Sequence, residues 1–501
     1  MLEAGNEDEY YPAYCPFDQA RIVVENLAIL LKLQQWNLSL MNATSGGHRL
    51  PRWRMVLFSF GNFGATLTAF SMGIVLSYFY FPPVIAGETE FPELMIRTPV
   101  LFGLTVLGLI TAISRIFDAA TSPLIANLSD RSQSRFGRRR LFMMIGLLPF
   151  ALTSVATFYP PDDAPTTLNA LWVAGNVVLF YLFMTLYTMP YGALVPELGK
   201  TADDRVFMAT VNAAAWAAAF CLGQTLWVVK GILQNTGMTA MEALRTVITG
   251  FAVLGALCMV VPILVVDEKR DCGGKAVKEG AMKSMMDALG NREFTLFVLV
   301  NCLTLVSTYF LETGAIYYVT MLLKLSEGWA TFMMVGMFAI SFMLYPLIVK
   351  LTRFYPKKHI FIVALALEGL VFSMIPLANS VAHPMFLAGL IVVLGAIPIA
   401  ATSIVPGAMM ADITRSDTLR TGVHKEGTFF GLQSFSVKLA ASLTSLLFPS
   451  ILILGSGTGT PTEHGVSMTA WIGTSCSFIG CAMMFLYNEE RVNRFLNEPV
   501  Q

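Results

Sequence analysis

Charge is what this sequence has little of. Only 13% of its 501 residues are Asp, Glu, Lys or Arg, against roughly a quarter in soluble chains. The 33 basic and 33 acidic side chains cancel, so no bulk field draws the chain toward nucleic acid. The seven cysteines (Cys15, Cys221, Cys258, Cys272, Cys302, Cys476 and Cys481) show no CxxC or Cys/His spacing, which argues against a zinc site or a disulfide framework. They read as small apolar helix residues. A P-loop, a dinucleotide-binding glycine pattern, HExxH and a Ser/His/Asp arrangement are all missing. Neither an enzyme nor a bound cofactor is expected, and any uphill work has to come from an ion gradient. The first twenty residues are acidic and polar, so no cleavable signal peptide is expected there.

What the chain does have is long apolar runs. The hydrophobic fraction is 55% and mean hydropathy is +0.63. A membrane-spanning helix needs about 20 apolar residues. Spans of that kind fall near 55–80, 99–128, 141–159, 168–192, 207–232 and 243–266. Six more fall near 294–323, 329–350, 359–378, 384–410, 427–453 and 468–487. The expected fold is an all-α integral membrane protein of twelve helices in two halves, the layout of a repeat-built carrier. Its parts are a cytoplasmic leader (1–50), a first half (51–266), a cytoplasmic linker (267–293), a second half (294–487) and a cytoplasmic tail (488–501). Residues 21–41 are only mildly apolar and are interrupted by Glu25, Lys32, Gln34 and Gln35. They are not counted as a span.

The halves echo each other. MPYGALVPEL closes the fourth span, and IVPGAMMADI lies at the end of the tenth. Gly192-Ala193 precedes Glu197 at the same offset as Gly407-Ala408 precedes Asp412. Lys and Arg cluster in alternate loops: Arg131 to Arg140, Lys200 and Arg205, the linker, Lys350 to Lys358, and Arg415 to Lys425. The opposite loops hold little beyond Arg97 and Lys324. Positive charge marks the cytoplasmic side, so both termini are expected there, with the plasma membrane as host.

The most informative stretch is SRIFDAATSPLIANLSDRSQSRFGRRR, residues 114–140. Asp118 falls in mid-span, where an ionisable group is costly and marks a functional site by default. Arg115 and Ser122 share its helix face. The site reads either as a cation or proton site or as a helix-holding Arg115–Asp118 pair. Asp130, Arg131, Gly137, Arg138 and Arg139 follow. Such a turn can pair in one conformation and release in another, or serve only to set topology. Pro190 and Pro196 permit kinking before Glu197 at the membrane boundary. Glu312 lies mid-span among Tyr309, Tyr317 and Tyr318, and either titrates beside a solute or is a packed acid. Lys438 on the eleventh span needs a partner, with Asp118 or Glu312 as candidates. Asn212, Trp216, Gln224 and Gln433 add polar lining.

Three motifs together resemble the glycoside–pentoside–hexuronide:cation symporters, the melibiose permease branch of the major facilitator superfamily. They are the 114–140 stretch, MPYGALVPEL, and MADITRSDTLRTGVHKEGTFFGLQSFSVKL. The resemblance runs from about Pro51 onward. It implies alternating access and a cation site on the second helix. Asp118 matches the first of two family cation-binding acids, and Ser122 stands where the second is expected. Arg115 matches the preceding arginine, and Lys438 the eleventh-helix lysine. The sugar-binding acids do not carry over: the first span has no acid, Thr188 replaces one on the fourth, and Asn212 replaces an arginine on the fifth. The resulting expectation is a cation-coupled symporter for a sugar or glycoside. Asp118, Ser122 and Thr121 would take Na⁺ or H⁺, with Arg115 and Lys438 as charge partners. Thr188, Tyr191, Asn212, Trp216, Glu312 and Gln433 would line the solute site. The expected partners are the solute and the bilayer; the protein is expected to be a monomer. Two alternatives stay open: a lysophospholipid or other amphipath carrier of the same fold, and a membrane sensor that transports nothing.

Overall fold

Threonine and asparagine open six of the helices in the computed structural model. The side chains of Thr105, Thr166, Thr201, Thr239, Asn291 and Thr462 each accept the backbone N–H three residues on. Each such cap satisfies a donor the helix cannot, worth about 1 kcal/mol. Glu242 returns the bond to Thr239 and completes a capping box. The structure describes residues 50–85, 88–101, 103–132, 134–199, 201–268, 290–380, 383–421 and 426–497. The expectations for residues 1–49 and for most of the linker lie outside the described residues.

Among the described residues, twelve helices are long and apolar enough to cross a membrane. The first half holds α1 (Arg52–Tyr80), α2 (Val106–Ser129), α3 (Arg138–Ala156), α4 (Thr167–Leu198), α5 (Asp203–Asn235) and α6 (Ala240–Val265). The second holds α7 (Arg292–Leu322), α8 (Gly328–Phe354), α9 (Lys357–Ala378), α10 (Pro384–Arg420), α11 (Phe429–Leu452) and α12 (Glu463–Met484). A short α13 (Glu489–Asn497) follows. A small hairpin, β1 (Val84–Ile85) with β2 (Glu88–Thr89), closes the α1–α2 connection. The chain is thus the expected twelve-helix integral membrane protein.

Some bounds differ from the hydropathy reading, for local reasons. The Thr105 cap starts α2 later than residue 99. Thr225 divides α5 into Ala202–Gln224 and Leu226–Asn235. Helix α10 continues past residue 410, so Asp412 and Asp417 sit on helix and not in a loop. Helix α4 runs through Pro190 and Pro196 to Leu198. Prolines are tolerated in membrane helices where neighbours satisfy the freed carbonyls.

Packing repeats between the halves. Helix α1 lies against α5 and α6 as α7 lies against α11 and α12. The pairs α3–α4, α2–α4 and α3–α6 have counterparts in α9–α10, α8–α10 and α9–α12. Both leading helices also carry a π-helical turn, Ser71–Val75 in α1 and Tyr318–Leu322 in α7. The halves meet chiefly through α2 against α11 and α5 against α8. At the first seam Gly108 allows the approach, since a Cβ there would fall 2.6 Å from the Leu446 carbonyl oxygen.

Named bonds between the halves run from mid-membrane to the face that carries the hairpin. Thr111 donates to the Ser445 carbonyl at 3.1 Å. The Thr105 N–H donates to Ser450 Oγ at 3.0 Å. Tyr317 donates to the Phe81 carbonyl at 2.7 Å, and Thr331 to that of Gln224 at 2.5 Å. An aromatic core of Tyr78, Phe79, Phe91, Phe158, Trp227 and Tyr317 fills this end, with Tyr78 edge-on to Trp227 at 4.6 Å.

Candidate functional site

Asp118 lies at the seam between the halves and is 3% exposed. Its Oδ2 pairs with Lys438 Nζ of α11 at 2.8 Å. Its Oδ1 accepts from the Thr185 hydroxyl of α4. The Lys438 ammonium also donates to Ser122 Oγ, and Ser122 in turn donates to the Asp118 carbonyl at 2.7 Å. Two helices of one half and one of the other thus converge on a single carboxylate. A pair taken this far from water is sustained only where its other polar atoms are also bonded; here Thr185 takes the second carboxylate oxygen and Ser122 a second ammonium proton. Of the two partners open to Lys438, the structure brings it to Asp118.

Thr121, one turn along α2, donates to the carbonyls of Phe117 at 2.9 Å and Asp118 at 3.2 Å. Arg115 sits over the Tyr181 ring of α4, its guanidinium carbon 5.0 Å from the centroid. That is a cation–π geometry. Its buried Nε has no hydrogen-bond partner among the described residues. Both Arg115 and Glu312 lie within electrostatic reach of the Tyr309 hydroxyl on α7.

A second polar group joins α1, α4 and α5. The Tyr191 hydroxyl reaches Asn212 Oδ1 at 2.5 Å and the Phe58 carbonyl at 3.0 Å. Its ring stacks on Phe58 at 4.5 Å between centroids. Asn62 donates to the Asn212 carbonyl at 2.9 Å. Trp216, one turn on from Asn212, is half-exposed and stacks on Phe220 at 5.5 Å. Thr188 bonds its own helix at the Met184 carbonyl, 2.8 Å away. The Gln433 carbonyl accepts from Ser436 at 2.8 Å.

At the other face the residues expected to act in gating form a tie between the first half and the start of the linker. Arg138 pairs with Glu197 and with Glu268, each at 3.1 Å. Arg139 pairs with Glu197 at 2.8 Å. Glu268 Oε2 accepts the backbone N–H of Arg139 at 2.9 Å and of Arg140 at 3.3 Å. Gly137 turns the chain into α3 at φ +104°, and a Cβ there would meet Glu268 Oε2 at 2.7 Å. Arg131 is exposed. The Asp130 side chain lies outside the described residues. The second half repeats the tie: Lys357 pairs with Asp412, and Glu489 accepts the N–H groups of Lys357 at 3.0 Å and Lys358 at 2.9 Å.

Sequence reasoning missed Thr185, Tyr181, Asn62, Glu268 and Glu489. Thr185 and Tyr181 had a usable signal, since both share the α4 face of Thr188. Glu268 had none, being one acid in a charged linker.

The comparisons with known proteins point the same way. The family described as MFS/sugar transport protein matches residues 57–487. An uncharacterized symporter of Synechocystis sp. is 30% identical over 171 residues, 33% of this chain. That match takes in 28% of the relative's length. The glucuronide carrier protein homolog of Escherichia coli is 22% identical over 446 residues, covering 87% of this chain and 90% of the relative. Among solved structures, the nucleoside transporter NupG superposes with a TM-score of 0.60 at 12% identity, covering 87% of this chain and 99% of that one.

Proposed function

Because the chain belongs to the MFS/sugar transport protein family, within the glycoside–pentoside–hexuronide:cation symporters of the major facilitator superfamily, we propose that it is a secondary active symporter. It couples Na⁺ or H⁺ to a small organic solute, a sugar or glycoside, by alternating access. The relatives are transporters and not enzymes. The match over most of its length to a glucuronide carrier homolog supports the sugar class.

The observation that carries this reading is the Asp118–Lys438 pair. The pair spans the two halves, and Thr185 takes the other oxygen of the same carboxylate. A coupling ion arriving at Asp118 has to displace the Lys438 ammonium. That displacement loosens α2 from α11, the seam along which the halves must move. Binding energy for the ion is thereby turned into a bias between two conformations. With Ser122 in place of a second acid, the charge of the site suits H⁺ better than Na⁺, which seeks several oxygen ligands.

The solute site in this reading faces the Tyr191–Asn212 group, with Trp216 offering a ring to stack on a sugar. Glu312 and the Arg115 guanidinium supply the remaining polar contacts from α7 and α2. The face bearing the Arg138–Glu197–Glu268 and Lys357–Asp412–Glu489 ties is cytoplasmic, by its excess of Lys and Arg. Both termini lie there, in a monomer of the plasma membrane. The named bonds between the halves then close the outer face.

The test is uptake into proteoliposomes after an ion jump, with labelled glycosides and lysolipids. Uptake of a glycoside driven by Na⁺ or H⁺ and lost in Asp118→Asn supports the symporter. Lipid uptake moves the assignment to an amphipath carrier. Solute binding with no counterflow would mean a sensor.

A further inference from the structure

A second buried ionic group joins the halves at the outer face, distant in sequence from Asp118. Lys230 of α5 is fully buried. Its ammonium donates to Glu90 Oε2 at 2.5 Å, to Glu327 Oε2 at 2.9 Å and to the Tyr78 hydroxyl oxygen at 3.0 Å. Tyr78, Glu90 and Lys230 belong to the first half. Glu327, at the start of α8, belongs to the second. Gln234 donates to Glu90 Oε1 at 3.1 Å. Above the group lies an outward-facing vestibule of about 1180 Å³, lined in part by Glu90, Gln234, Lys324, Glu327 and Phe332.

Counting protons decides the state of this group. An ammonium has three N–H donors, and Lys230 has three acceptors around it. The Tyr78 hydroxyl has one proton and two lone pairs. It stands within hydrogen-bond distance of Glu90 Oε2, at 2.5 Å, and also of Glu327 Oε1. Its single proton can serve only one of them. If both acids are ionised, the other contact sets a carboxylate lone pair against a lone pair of the fully buried Tyr78 hydroxyl. A single added proton removes the conflict. Glu327 as a neutral acid donates to Tyr78, Tyr78 donates to the Glu90 carboxylate, and every donor has an acceptor. The group is then Lys⁺, Glu⁻ and an uncharged acid, with no net charge left buried.

We propose that Glu327, with Tyr78, Lys230 and Glu90, is a proton-binding site separate from Asp118, and that the bound proton holds the outer face closed.

Glu327 is the member that crosses between the halves, so opening the outer face breaks its bonds to Lys230 and Tyr78 and widens its exposure to the vestibule it already lines. Burial first, with the Glu90 charge adding, pushes the Glu327 carboxyl above the ordinary carboxylate range, against the pull of the Lys230 charge and of the hydrogen bonds to Tyr78 and Lys230. Burial alone would raise Glu90 as well, but the Lys230 ammonium and the bonds around it hold that carboxyl below the ordinary range. The other ionisable neighbours are Tyr317, whose ring lies 6.4 Å from that of Tyr78, Arg97 and Glu93 beyond it, and the exposed Lys324–Glu463 pair at 3.8 Å on the rim. A raised value in the closed state means that protonation favours closure. The bias is complete below the open-state value and is lost as pH rises through the closed-state value.

The experiment is a pulsed-EPR distance measurement across the outer face, without solute or gradient. Spin labels are placed through Met238→Cys and Leu454→Cys, both exposed, in a background stripped of native cysteines. In the otherwise unaltered protein, the short-distance population should give way to a longer one as pH rises above the ordinary carboxylate range. Glu327→Gln, which keeps a neutral donor toward Tyr78, should hold the short distance throughout. Tyr78→Phe, which removes a direct hydrogen-bond partner of Glu327, should move the transition by about one pH unit. A distance that ignores pH in the unaltered protein overturns the proposal. So does a Glu327→Gln protein that titrates as before, because the response then belongs to another group. Should Glu327→Gln fail to fold, the Tyr78→Phe shift decides alone. None of these outcomes depends on solute coupling through Asp118.

Discussion

Glu268 and Glu489 hold matching positions in the two halves. Each follows the last membrane helix of its half, and each accepts two successive backbone N–H groups at the start of a helix six spans from the other's. A carboxylate there meets the positive end of a helix dipole and satisfies donors that lack a partner. Beside each, a basic residue of the same helix start pairs with the acid that closes the neighbouring echo motif, Arg139 with Glu197 and Lys357 with Asp412. The repeat is therefore one of function in folding as well as of spelling.

Removing either carboxylate should cost stability in its own half. Glu268→Gln and Glu489→Gln are each expected to lose about 1–3 kcal/mol, the range for bonds to a charged acceptor. As the two ties share no partner, the double variant should be additive within about 0.5 kcal/mol. Thermal unfolding of the solubilised protein measures both. A large coupling energy between the two would show that the ties are not independent.

Lys438 and Asp118 should behave as one unit. Lys438→Met leaves a buried carboxylate without its counterion and is expected to destabilise the protein by about 3–5 kcal/mol. Adding Asp118→Asn should restore most of that loss without restoring ion-driven uptake. A double-mutant cycle on unfolding gives the coupling. If the double variant is no more stable than Lys438→Met alone, the pair is not what holds the seam.

Gly108 should be intolerant of a side chain. Gly108→Ala sets a Cβ 2.6 Å from the Leu446 carbonyl oxygen. Overpacking of that kind costs about 1–3 kcal/mol, which corresponds to a roughly five- to 150-fold change in any rate passing through this closed seam. Helix content by circular dichroism should be unchanged while initial uptake falls. Uptake at the unaltered rate would mean that α2 and α11 do not come this close during transport.

Asn212→Ala is expected to raise the solute KM about five- to tenfold, the worth of one hydrogen bond, with little effect on kcat. Tyr191 would keep its bond to the Phe58 carbonyl, so the α1–α4 contact survives. A kcat effect with an unchanged KM would remove Asn212 from the solute site and leave it a structural residue.

Much of this molecule is legible in its sequence because lipid restricts what a chain can do. Apolar runs of the right length leave few options besides helices, and the twelve spans follow. Asp118 and Lys438 stand out for the same reason: a charge at membrane depth is rare enough to be noticed. Thr185 was easy to pass over, since hydroxyls are common in membrane helices and many bond their own backbone, as Thr188 does; its one signal is the helix face it shares with Thr188. Glu268 and Lys230 were obscured in another way. Both sit near span ends, where charges are ordinary, and only the fold shows that one caps a distant helix and the other is buried. Bounds shifted wherever a polar side chain started or prolonged a helix, as Thr105 does for α2 and as the acids of α10 do beyond residue 410.

The lysine beside Asp118 gives that carboxylate a counterion built into the chain. Lys438 closes over the carboxylate, so with Asp118 as the proposed coupling site the unloaded protein would reorient without dragging a naked charge through the bilayer. In the proposed cycle, an ion at Asp118 would set that ammonium free, and it would need somewhere else to go. The resting leg of the cycle is then electrically quiet, and the displaced lysine is what the loaded leg has to accommodate.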